Sequence, residues 1–207
     1  MNIDIRPAQP TPQDAHAFAE LANTASHDLV EDFFGSRYGD ILGRLFLQSD
    51  NLWSHNFSHF ATVDGQHAGL IYGYTHAQQV ALDETTGQAL LAALGDDVPR
   101  MRRVQGQLQP ILEFMNRLPE HAYYLRCIAV HARYRQLGLG KRLLEKADEI
   151  ALSQDQHTLQ LDTETINAAA IEMYQRHGMQ IAFSSPVVFY AKQGREISMH
   201  RMVKILQ

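Results

Sequence analysis

Cysteine is almost absent from this chain. Its single copy, Cys127, rules out an intrachain disulfide and any multi-cysteine metal site, and favours a reducing compartment. Long apolar runs are missing too: none approaches the roughly 20 residues that a membrane-spanning helix needs. The start, "MNIDIRPAQP", lacks the basic-then-apolar pattern of a secretory signal, so the expectation is a soluble cytoplasmic protein. Basic residues are outnumbered, 18 Lys and Arg against 23 Asp and Glu. The net charge of −5 therefore gives no electrostatic reason to expect nucleic-acid binding. Eleven histidines could suggest a metal, but the cluster "SHNFSHF" offers His55 and His59 without a third ligand, and no metal is expected.

What remains is an ordinary globular composition over 207 residues, enough for one domain with a large core. Ile3 and Ile5 alternate as a short strand. Thr11, Pro12 and Asp14 then form a helix-start signal ahead of Phe18, Leu21 and Ala22 at helical spacing. "DLVEDFFGSRYGDILGRLFLQ" is interrupted by Gly35 and Gly39 and predicts two short helices. Phe60–Val63 and Leu70–Tyr74 flank Asp64-Gly65 as a hairpin. The stretch from about 77 to 120 reads as a mostly helical insert, with an exposed loop from Asp96 to Arg103. "AYYLRCIAV", Ala122 to Val130, is a buried strand. A helix from Leu139 to Ser153 follows, then a strand at "HTLQLDTET" and a helix opened by Asn167 and stopped by Gly178. "MQIAFSS" and "EISMHRMVKIL" close the chain as strands. This order predicts an α/β fold, one domain over 1–207, with helices on both faces of a sheet.

The local concentration of charge in "RYRQLGLGKRLLEK" demands an explanation. A helix N-terminus exposes unpaired N–H groups and the positive end of the dipole. Gly138 and Gly140 would keep Cβ atoms out of the way, and Arg135 and Lys141 could bond phosphate oxygens. Two familiar phosphate loops fail on counting. Lys141 is followed by Arg142, where a Walker A loop needs Ser or Thr, and a dinucleotide fingerprint needs a third glycine where Leu143 stands.

The pattern Arg135-x-x-Gly138-x-Gly140 resembles the acyl-CoA-binding signature of the GNAT superfamily of N-acyltransferases. The likeness extends to "VHARYRQLGLGKRLL" and to a second motif, "NAAAIEMYQRHGM", with Asn167, Tyr174, Gly178 and Met179. Detailed resemblance covers about 122 to 183. It implies a mixed, mostly antiparallel sheet of six to seven strands with splayed strands at the acyl-CoA site. It also implies acetyl transfer from acetyl-CoA to an amine-bearing acceptor. By this resemblance Arg135, Gln136, Leu137, Gly138, Leu139, Gly140 and Lys141 hold the diphosphate. Ile128, Ala129 and Val130 offer backbone groups to the pantetheine arm, one N–H serving as oxyanion donor. Asn167 also meets that arm, and Tyr174 contacts the cofactor and acts as the general acid.

The general base is open. The family often uses a Glu on the strand before the signature, and none occurs between Tyr123 and Val130. Glu164 is the leading substitute, with Asp162, Glu120 and His121 as others. Cys127 is read as a core residue, not a nucleophile. Ser26 to Phe57 and the insert are expected to select the acceptor, with Glu31, Asp32, Asp83 and Glu84 available to attract a cationic amine. Homodimers are frequent in the family. A non-catalytic acyl-CoA sensor of the same fold is the competing reading.

Overall fold

The computed structural model describes residues 1–207. The chain opens with β1 (Ile3–Pro7), α1 (Pro12–Ala25), α2 (Leu29–Phe34) and α3 (Tyr38–Leu47). The hairpin β2 (Ser58–Val63) and β3 (Gln66–Thr75) follows, then two long helices, α4 (His76–Leu94) and α5 (Val98–Asn116). The rest is β4 (Ala122–Val130), α6 (Leu139–Ser153), β5 (Thr158–Glu164), α7 (Ala168–Arg176), β6 (Gln180–Ser184), β7 (Val188–Tyr190), β8 (Arg195–Ile197) and β9 (Met199–Ile205). Seven strands form one sheet in the order β1–β2–β3–β4–β5–β9–β6, and β7 pairs with β8 in a small second sheet. Within the large sheet β4 and β5 run parallel; every other neighbouring pair is antiparallel. No helix is long and apolar enough to cross a membrane.

The two-residue period of the strands sorts their side chains into two cores. Phe60, Leu70, Tyr72 and Tyr124 pack under α1 and α3, while Ala61, Ile71, Tyr123 and Leu125 pack under α6 and α7. Phe18, fully buried, meets the rings of Phe46 at 4.9 Å and Tyr72 at 5.6 Å. Its truncation to Ala would cost about 3–5 kcal/mol. A third cluster joins Val104, Leu108 and Ile111 of α5 to Tyr190, Ile197 and Met199. The helical insert is thereby held against the small sheet, beside the end of β5.

Local signals explain most of the elements. Thr11 Oγ1 accepts from the Asp14 N–H at 3.2 Å, and Asp14 itself bonds Arg6. Asp64 (φ 48°) and Gly65 (φ 79°) make the left-handed hairpin turn. Three expectations need correction. Gly39 lies inside α3, so the break falls at Gly35 alone, whose φ of 72° suits glycine. Asp96 to Arg103 is no loop: α5 begins at Val98 with Pro99 in its first turn, and Met101 is buried. "EISMHRMVKIL" divides between β8 and β9, and β7 adds a strand that the sequence did not announce.

Candidate active site

β4 and β5 pair only where Ala122, Tyr123 and Tyr124 face Thr158, Leu159 and Gln160. Beyond that point β4 runs on to Val130 and β5 to Glu164 with their facing edges unpaired. Leu125 to Val130 alone span roughly 20 Å at a strand's usual rise. Backbone N–H and C=O groups on those edges lack a strand partner, a state that backbone seldom keeps without another acceptor or donor. The gap opens into a cavity of about 1000 Å³. Its walls include Ile128 to Val130, the turn before α6, the inner face of α7, the α1–α2 connection and α5.

The turn carries two left-handed residues, Gln136 (φ 66°) and Gly138 (φ 74°), and Gly138 caps α6 without a side-chain acceptor. From Gln136 through Lys141 no backbone N–H finds an acceptor within the chain; the first bond of the helix is Arg142 N–H to Gly138 O at 3.2 Å. A run of unpaired donors at a helix N-terminus is a site for an anion. Arg135 and Lys141 flank it and line the cavity with Gln136, Gly138, Leu139 and Gly140; Leu137 is not part of that lining. The glycines also have roles within the chain itself. A Cβ on Gly138 would meet no atom of the chain within 4 Å, and its positive φ is a conformation that glycine adopts without strain. A Cβ on Gly140 would sit 2.7 Å from Met173 Sδ, so that glycine permits α6 and α7 to approach.

Tyr174 lies on the inner face of α7, buried and lining the cavity. Its hydroxyl meets no hydrogen-bonding group of the chain. Burial, and to a lesser degree the nearby Cys127 thiol, raises its pKa well above the usual phenol value, so the proton is retained at neutral pH. Asn167 Oδ1 accepts from the Ala170 N–H at 3.3 Å, capping α7 while facing the cavity. Burial pushes the Cys127 thiol up to about 12, which removes the thiolate that nucleophilic chemistry would need.

Of the residues proposed for the base, Glu164 and Asp162 line the cavity; Glu120 and His121 do not. Glu164 is buried with both oxygens on Arg195, at 2.7 and 3.1 Å, and His27 Nδ1 lies 3.4 Å from Oε1. Asp162 accepts from Arg201 Nε at 3.0 Å and Nη2 at 2.8 Å, and from the Tyr124 hydroxyl at 2.9 Å. Glu31, Asp32, Asp83 and Glu84 all lie outside the cavity.

The family model described as "Acetyltransferase (GNAT) family" matches residues 23–179. The chain belongs to the GNAT acetyltransferase family. An N-acetyltransferase from Staphylococcus aureus Mu50 superposes with a TM-score of 0.71 at 19% identity, over 97% of this chain and 100% of the other. The ribosomal-protein-S18-alanine N-acetyltransferase from Escherichia coli gives 0.60 at 17% identity, over 100% and 95%. The Bacillus subtilis acetyltransferase in complex with CoA gives 0.58 at 14%, over 100% of both chains. At such identities the likeness is one of fold. No curated protein sequence matches the chain.

For a GNAT acetyltransferase, the forked strands and the unpaired N–H run are suited to an amide-bearing arm and a diphosphate respectively. Two residues of the cavity escaped the sequence reading. His27 sits at φ 48° between α1 and α2, a conformation uncommon outside glycine. Arg126 occupies a bulge in β4, the unmatched residue between Leu125 opposite Gly73 and Cys127 opposite Tyr72. The signal for Arg126 was present: one charged residue inside a nine-residue apolar strand.

Proposed function

We infer that this GNAT protein, read as a single domain over 1–207, moves an acetyl group from acetyl-CoA to a primary amine by direct attack in a ternary complex. The observation that carries the reading is the fork between β4 and β5 opening directly onto the unpaired N–H groups of Gln136 to Lys141. The diphosphate would take those donors, with Arg135 and Lys141 adding charge. Ile128 to Val130 would pair with the pantetheine amides and polarise the thioester carbonyl through a backbone N–H.

Tyr174 then protonates the leaving thiolate. A neutral phenol with no internal partner is free to make that bond, and general-acid help of this kind is worth about 10²–10⁴-fold in rate. Glu164 is tied on both oxygens to Arg195, so its carboxylate is already engaged within the chain. We therefore route proton removal from the ammonium through His27, with Glu164 fixing the ring; an imidazole suits proton transfer near neutral pH. The helical insert at 77–120 supplies the acceptor's wall through α5.

Calorimetry with acetyl-CoA followed by a thiol-release screen over amines tests this. Binding with turnover supports the transferase. Binding without turnover of any amine supports the sensor reading, which the unavailability of Glu164 as a free base favours. No binding removes both.

A further inference from the structure

Two arginines of the cavity lining, Arg126 and Arg135, have no carboxylate partner within 4 Å; Arg135 belongs to the turn before α6, and Arg126 stands apart from it on β4. Asp162 is neutralised by Arg201, and Glu164 by Arg195. Arg126 has no acidic group within 4 Å. Its contacts are Nη1 to the Met115 sulfur at 3.7 Å and Nη1 to the Tyr124 hydroxyl at 3.5 Å, and the Tyr124 proton is already given to Asp162. Nε and Nη2 meet no acceptor, and the side chain lines the cavity. A guanidinium that is taken partly out of water without a counter-charge is expensive, and it rewards any anion that reaches it.

The direction of the side chain says which anion. Tyr124 and Met115 lie on the side of the sheet covered by α1 and α5, whereas the diphosphate cradle belongs to α6 on the other side. The cradle also has cations of its own. Arg126 therefore faces the acceptor's half of the cavity, and its planar fork matches a carboxylate in bidentate geometry. We propose that Arg126 anchors a carboxylate on the acceptor, so that the substrate is a small amine that is also an acid: a free amino acid or a short peptide. This rests on the transferase reading and narrows it. Glu31, Asp32, Asp83 and Glu84, available by sequence to attract a cationic amine, do not reach the cavity.

The test uses matched pairs. Free amino acids and dipeptides are assayed beside their carboxamides, with polyamines as a third arm, by thiol release from acetyl-CoA. The best acids should exceed their amides in kcat/KM by roughly 10- to 100-fold, the weight of a charge-assisted bidentate pair. Arg126→Gln should bring that ratio close to one by lowering the acid, with acetyl-CoA affinity unchanged, and Arg126→Lys should fall between. Amides or polyamines turned over as well as acids would overturn the proposal, as would a ratio that survives in Arg126→Gln. The wild-type comparison stands even if a variant folds poorly. A second arm titrates the protein, with and without CoA, with N-acetyl amino acids and their amides. Selective binding of the acids supports the anchor; equal binding or none rejects it. Acids that bind while acetyl-CoA does not would sink the transferase reading and leave the anchor standing. Acetyl-CoA binding without acid selectivity would do the reverse.

Discussion

The Tyr124 hydroxyl donates to Asp162 Oδ2 at 2.9 Å, spanning β4 and β5 just where the two strands cease to pair. Arg201 of β9 grips the same carboxylate and reaches the carbonyls of Phe114 at 2.9 Å, Met115 at 3.3 Å and Arg117. One buried ion pair thus joins both arms of the fork to the C-terminal end of α5. Arg201→Ala leaves Asp162 as an uncompensated buried charge and should cost about 3–5 kcal/mol in chemical denaturation. Tyr124→Phe removes one hydrogen bond and should cost about 1 kcal/mol.

Gly140 and Met173 should behave as a coupled pair. Gly140→Ala puts a Cβ 2.7 Å from Met173 Sδ; that thioether is the end of a flexible side chain and can turn aside, so the cost should stay within about 1 kcal/mol. Adding Met173→Ala clears the space, so a double-mutant cycle should return a favourable coupling term. An additive result would place the role of Gly140 elsewhere.

Tyr174→Phe should leave the thermal midpoint almost unmoved, because its hydroxyl has no partner in the chain to lose. Turnover should fall by about 10²-fold or more while acetyl-CoA affinity holds. His27→Ala should lower kcat most at the acid end of the pH profile, where little free amine is present without a base to generate it.

Asp14 predicts an acid-labile component of stability. Burial alone would raise its pKa, but bonds from Arg6, the Gln9 N–H and His67 outweigh it and hold the carboxyl at about 2, below its ordinary 3.8. A depressed carboxylate pKa stabilises the fold above the unfolded value, and the contribution disappears as pH falls from about 4 to about 2. Urea titrations should show a loss of about 2 kcal/mol across that window. Asp14→Asn should be weaker at neutral pH and flat there.

Features that one residue decides were legible in the sequence. Asp64-Gly65 sets its turn, Asn167 its cap, and Gly138 the bend into α6, because each acts through its own backbone. Features decided by partners distant in the chain were not. Gly39 sits within a helix because the αL break is at Gly35 instead, and Val98 to Arg103 become helical where Met101 finds the core. Arg195 silences Glu164 from 31 residues away, and Arg126 enters the cavity through a bulge that only pairing with β3 reveals. The glycine-bearing turn before α6 is local, and its bend was readable. The acceptor half is assembled from α1, α2, α5 and β8 and was not.

Titration of CoA against pantetheine by calorimetry bears most directly on the anion cradle at Gln136 to Lys141. CoA should bind with a Kd on the order of micromolar and pantetheine at least about 100-fold more weakly, since only CoA carries the diphosphate those N–H groups would hold. Equal affinities, or no heat from CoA at millimolar concentration, would contradict the account.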